Sequence, residues 1–136
     1  MSNLDRRSAI TLGLAGVSGL VLTGAAAAQT SGAKEGKEVA PGVRQVDLGQ
    51  ADSHIPAYKV VKLRDLVFQP GAKLSIAAMS NDMVCHMTEG EVTITQGGRD
   101  FTVKKDGVYA CAKGVSEDDV AGSTVAIMRV IDLLPA

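Results

Sequence analysis

Two cysteines, two histidines and five methionines are the residues of this 136-residue chain with the most scope for chemistry. Met79, Met83, Cys85 and Met87 are separated by even numbers. On a single strand, Met83, Cys85 and Met87 therefore share one face. Thiolate and thioether groups are soft ligands that favour copper(I) or zinc. His86 falls between them, on the opposite face of such a strand, and would join the set only if a bulge turned the backbone. Methionine and cysteine are equally at home as apolar filler in a core. Cys85 and Cys111 thus have three states open to them: buried free thiols, a disulfide, or metal ligands. His54, beside Pro56, has no partner at a useful spacing. Glu89, Glu91 and the run Glu117-Asp118-Asp119 offer carboxylates, but acid–base work needs such groups to converge on one substrate. Flanking a turn glycine or set in a polar loop, they are expected to be solvated charge. No Ser-His-Asp order, phosphate loop or dinucleotide fingerprint is present.

Composition narrows the field further. The length suits one domain. With 46% hydrophobic and 21% charged residues, the chain can bury a core. Fourteen Lys and Arg against fifteen Asp and Glu leave a net charge of −1. That balance removes the electrostatic basis for binding nucleic acid. Aromatics make up 3% with no Trp, which argues against base- or sugar-stacking platforms.

The first quarter of the chain has the pattern of an address. Arg6-Arg7 precedes an uncharged stretch from Ser8 to Ala33 that includes Ala25-Ala26-Ala27-Ala28. A basic start, an apolar middle and small residues at the end describe a secretory signal, here of twin-arginine type. Gly13, Gly16, Gly19 and Gly24 dilute the apolar run and argue against a retained membrane anchor. Residues 1–28 are expected to be the signal peptide, 29–42 a flexible linker and 43–136 the folded domain. The location implied is periplasmic or extracellular, with no stable membrane insertion after cleavage.

The elements that must position the soft residues are strands. Tyr58 to Leu63, Leu66 to Phe68, Lys73 to Met79 and Met83 to Met87 are candidate strands, with turn signals at Gln69-Pro70-Gly71-Ala72 and at Glu89-Gly90. Glu91 to Thr95 and Arg99 to Lys104 alternate polar and apolar residues around Gly97-Gly98, the mark of a hairpin. Val108 to Ala112 and Ser123 to Leu133 follow. With no helical stripe after Val43, short strands and Gly-rich turns predict an antiparallel all-β barrel or sandwich.

The run Met83-Val84-Cys85-His86-Met87-Thr88-Glu89-Gly90-Glu91-Val92, together with Gln69-Pro70-Gly71-Ala72, Gly97-Gly98 and Phe101 to Gly107, resembles a small single-domain cupin of the RmlC-like kind. The resemblance implies a jelly-roll β-barrel with a site in its interior. Metal-bearing cupins supply three His and one Glu. By the spacing of the motifs these positions fall near Ile76, Ala78 and Met83, with the last on Glu117. Three of the four are apolar, so the usual centre is absent. In its place the resemblance puts Met83, Cys85 and Met87 facing into the barrel, with Cys111 approaching from a neighbouring strand. The expected ligand pocket is Ile76, Ala78, Met83, Cys85, Met87 and Cys111. The candidate metal ligands are Cys85, His86, Cys111 and Glu117, for copper, zinc or another divalent ion. Three functions follow. The first is an exported module binding a small molecule or soft metal with no reaction of its own. The second is a metal-dependent oxidoreductase or isomerase with a non-standard centre. The third is a structural partner protein acting as a homodimer.

Overall fold

The computed structural model describes residues 32 and 34–136. The signal-peptide expectation for residues 1–28, and the start of the linker, lie outside the described residues. Within them the regular elements are ten strands: β1 (Lys37–Ala40), β2 (Val43–Asp52), β3 (Tyr58–Phe68), β4 (Lys73–Ile76), β5 (Asp82–Glu89), β6 (Glu91–Gln96), β7 (Arg99–Lys104), β8 (Val108–Cys111), β9 (Glu117–Ala121) and β10 (Ala126–Pro135). They form a six-stranded sheet in the order β1-β2-β3-β10-β5-β8 and a four-stranded sheet in the order β4-β9-β6-β7. Every pairing is antiparallel. The expected jelly-roll barrel is the observed architecture.

Besides β2 (Val43–Asp52), for which no strand was expected, three elements differ from the sequence reading. Lys37–Ala40, placed in the flexible lead, pairs with β2 through Lys37↔Gln45 and Glu38↔Arg44. The two runs at Tyr58 to Leu63 and Leu66 to Phe68 are one eleven-residue strand. Arg64 and Asp65 do not interrupt it, because each finds an ionic partner on β10. Arg64 Nε donates to Asp132 at 2.7 Å, and Arg129 Nε and Nη2 donate to the two Asp65 oxygens at 2.8 and 3.0 Å. The third difference is β9, where a loop was expected.

Turn chemistry fixes the register. Gly97 and Gly98 both take positive φ, 56° and 83°, the combination a two-residue hairpin needs to match the strand twist. Gln96↔Arg99 and Thr95↔Asp100 follow from it. At Gly90, between β5 and β6, φ is 68° and a Cβ would lie 2.4 Å from the Val125 carbonyl oxygen. Only glycine allows the β5–β6 corner to approach the start of β10 this closely.

The core lies between the sheets and is built by alternation. Met83, Cys85 and Met87 of β5, Val92 and Ile94 of β6, and Ala126, Met128 and Val130 of β10 are buried and packed together with Phe68 and Leu66. Burial of each such side chain contributes about 1.5–3 kcal/mol. One end of the barrel is closed by loops. Met79 N–H donates to the Val115 carbonyl at 2.8 Å, Gly114 N–H to Met79 at 2.8 Å, and Gly97 N–H to Ser116 at 3.2 Å.

Candidate functional site

Beneath this closed end the interior turns polar. Cys85 of β5 stands opposite Tyr109 of β8, and Cys111 of β8 stands opposite Met83. Both cysteines are buried and free. They face Glu117 and Asp119, which β9 projects from the other sheet. Cys111 Sγ donates to Glu117 Oε2 at 2.9 Å, and Gln96 Nε2 donates to the same oxygen at 3.0 Å. Tyr109 donates its hydroxyl hydrogen to Glu117 Oε1 at 3.0 Å. The same hydroxyl lies 3.3 Å from Met128 Sδ. Gln96 Nε2 also lies 3.0 Å from Cys111 Sγ. Glu117 is therefore the hub, with both oxygens engaged.

Asp119 is different. It is 1% exposed, and neither oxygen has a hydrogen-bond partner. Burial, reinforced by the nearby charge of Glu117, pushes its carboxyl up to about 9. At neutral pH Asp119 is thus a neutral acid beside Glu117. The Cys111 thiol is raised far above the usual range by the neighbouring Cys85 thiol, by burial and by Glu117. Burial likewise raises Tyr109, with the charges around it adding to the effect. The cluster is a set of protonated donors arranged around Glu117.

Two surface clefts lie nearby, one lined by Tyr109 and the other by Gln96. A groove of about 440 Å³ runs along Phe101 to Lys105 and Gly107 to Tyr109. A second cleft of about 280 Å³ is lined by Gln96, Arg99, Asp100 and Phe101. Tyr109 and Gln96, each on the lining of one cleft, also bond to Glu117. The Tyr109 ring is steadied by an edge-to-face contact with Phe101 at 5.5 Å.

The structure brings Cys85, Cys111 and Glu117 together and packs Met83 and Met87 into the core beside them. Ile76 is half-buried on β4, paired with Glu117. Ala78, expected in the pocket, is exposed in the loop after β4. His86 points to the outer face, opposite Val108 of β8 and Arg129 of β10. The one irregularity in the β5–β10 ladder falls beyond it, at Thr88, so the bulge that would turn His86 inward is not there. The solvated-charge expectation for Glu117 to Asp119 is overturned. The segment is a strand, with Glu117 3% exposed, Asp119 1% exposed and only Asp118 facing water.

Gln96, Tyr109, Asp119 and Met128 are the site residues that sequence reasoning missed. For Asp119 the signal was its even spacing from Glu117. Three consecutive acidic residues, which strands ordinarily avoid, hid that period of two.

A metal centre of the three-His, one-carboxylate kind does not fit these residues. Ile76, Ala78 and Met83 carry no nitrogen or oxygen donor where three of its ligands would be. Among the described residues, no group of three or more His, Cys, Asp or Glu side chains is arranged to hold a metal ion.

No protein-family model matches the sequence, and neither does any curated protein sequence. Solved structures do match. An RmlC-like cupin from Shewanella frigidimarina superposes with a TM-score of 0.60 at 18% identity, over 79% of this chain and 89% of that one. A cupin superfamily protein from Desulfitobacterium hafniense gives 0.56 at 21% identity, over 74% and 83%. The Cnp3 cupin domain of Schizosaccharomyces pombe gives 0.56 at 17% identity, over 68% of this chain. This protein spans 64% of the length of that chain, less than two thirds. At these identities the likeness concerns architecture, and the architecture of this chain is the cupin fold.

Proposed function

We propose that this is an exported binding protein that takes a small ligand or a soft metal ion in its barrel and performs no reaction of its own. The observation that carries this reading is Asp119. A buried carboxyl with both oxygens unpartnered leaves an unmet demand of roughly 1–3 kcal/mol. A bound group that pairs with it would recover that energy. The Tyr109 and Gln96 side chains, which line surface clefts and bond to Glu117, are where a ligand would approach. Export is supported by Arg6-Arg7 and the uncharged stretch from Ser8 to Ala33.

The test compares the native and denatured masses of the protein purified from its exported fraction, with elemental analysis alongside. One bound group per chain is expected, and Asp119→Leu should abolish it. A native mass equal to that of the bare chain, with no metal and no change on substitution, would overturn the reading.

A second reading, the homodimer, is favoured by the outer face of the six-stranded sheet. There Leu63, Ile131 and Val84 lie side by side across β3, β10 and β5. All three are half-buried, and Val108 beyond them is 63% exposed.

A further inference from the structure

We infer that β7 is a docking edge for an extended peptide segment of another protein. The segment adds antiparallel to β7, with an acidic residue across from Lys104, a basic residue across from Asp100 and apolar side chains turned inward between them. This docking does not depend on the interior-site reading above.

Four strands have an open edge: β1 and β8 in one sheet, β4 and β7 in the other. β7 is the longest of them, six residues against four. Its register with β6 decides which backbone groups are free. Glu91 and Gly97, at the two ends of β6, bond to the β9 side, through Gly122 N–H at 3.1 Å and the Ser116 carbonyl at 3.2 Å. Bonding direction alternates along an antiparallel ladder, so Val92, Ile94 and Gln96 bond to β7, where Val103, Phe101 and Arg99 are their partners. Asp100, Thr102 and Lys104 therefore turn their N–H and C=O groups away from β6, towards the open edge. Among the described residues only the Lys104 carbonyl of this set is taken, by Gly107 N–H at 2.8 Å. The N–H groups of all three residues and the carbonyls of Asp100 and Thr102 remain, a ready template for one more strand.

The side chains select that strand. Asp100, Thr102 and Lys104 are exposed on the outer face of their sheet, while Phe101 and Val103 turn inward. Asp100 and Lys104 form no ion pair with any described residue. Opposite charges directly across an antiparallel pair attract, and like charges repel. An acid facing Lys104 and a base facing Asp100 are thus the charge complement of this edge. The same lysine deters strands that lack the acid. Residues of the added strand opposite Phe101 and Val103 turn inward with them. There the groove of about 440 Å³ runs along β7 towards Gly107, Val108 and Tyr109, with Val108 63% exposed. In such an augmentation backbone bonding supplies affinity, and the pocket for alternate side chains supplies selection.

The test adds the end-blocked peptide Glu-Leu-Thr-Leu-Lys to the full chain and reads amide hydrogen exchange by NMR. Exchange at Asp100, Thr102 and Lys104 should slow about tenfold or more, with Thr93 on β6 unchanged. The same peptide N-methylated at its threonine, which cannot donate to the Thr102 carbonyl, should give no protection. The charge-reversed peptide Lys-Leu-Thr-Leu-Glu should also give none, and the double variant Asp100→Lys with Lys104→Glu should reverse the preference between the two. The peptide comparisons on the wild-type chain need no variant to fold. Equal protection by the two charged peptides, protection by the N-methylated one, or none at millimolar peptide would overturn the inference. Protection of these amides that rises with protein concentration and needs no peptide would give the edge to a second copy, and would overturn it as well.

Discussion

Asp119 holds in the folded barrel a proton that it would lose in the unfolded chain. Its carboxyl is pushed up to about 9 from an ordinary value of 3.8. Between these values the folded protein binds more protons than the unfolded one, so stability falls as pH rises. The contribution of Asp119 is fully present below about pH 4 and is gone above about pH 9. Denaturation across this range should show the decline, and Asp119→Asn should flatten it. A slope unchanged by the substitution would assign the dependence to other groups. At this scale the sequence disclosed the face shared by Met83, Cys85 and Met87, because a period of two is local. It did not disclose that Glu117 meets Cys111, Tyr109 and Gln96, since those contacts depend on how two sheets stack.

Between elements, the central ladder of β3 and β10 carries two arginine–aspartate pairs whose members belong to opposite strands. Asp65 is fully buried and receives both hydrogen bonds of a forked pairing from Arg129, directly across the ladder. Arg64 donates diagonally to Asp132, which also accepts from Asn81 Nδ2 at 3.2 Å. Removing one member of a buried pair strands the other charge, at a cost of about 3–5 kcal/mol. Arg129→Met should lower stability by that order in urea denaturation. The double variant Asp65→Leu with Arg129→Met should recover most of the loss. A double variant no better than the single would mean that the arginine acts through packing. The pairs also explain why β3 reads as two runs in the sequence: its central charges look like a loop until their partners, more than sixty residues away, are known. The hairpin at Gly97-Gly98 was legible because both of its strands and its turn are contiguous.

At the scale of the whole molecule, the residues directed away from the core of the six-stranded sheet fall into bands, with Asp65 buried among them. One row runs Val46, Asp65, Arg129, His86 and Val108, and beside it lies the apolar row Leu63, Ile131, Val84 and Ala110. A second copy packed face to face would cover the apolar row and bring two such ionic rows together. Sedimentation should therefore report a dimer, and Val84→Glu should give a monomer with its strand content intact. A wild-type monomer at high concentration would dismiss the pairing. The jelly-roll architecture was legible because turn residues and alternation mark its strands one by one. The linker boundary was not, since β1 is a polar segment made a strand only by pairing with β2.

The place of β10 has a consequence in time as well as in space. It is the last strand of the chain, yet it lies between β3 and β5 in the middle of its sheet. Both neighbours are synthesised long before it, and until it arrives each has a bare edge. Such high contact order puts folding in the millisecond-to-second range. If the protein is exported folded, as proposed above, the insertion of β10 would set the earliest moment at which it could leave.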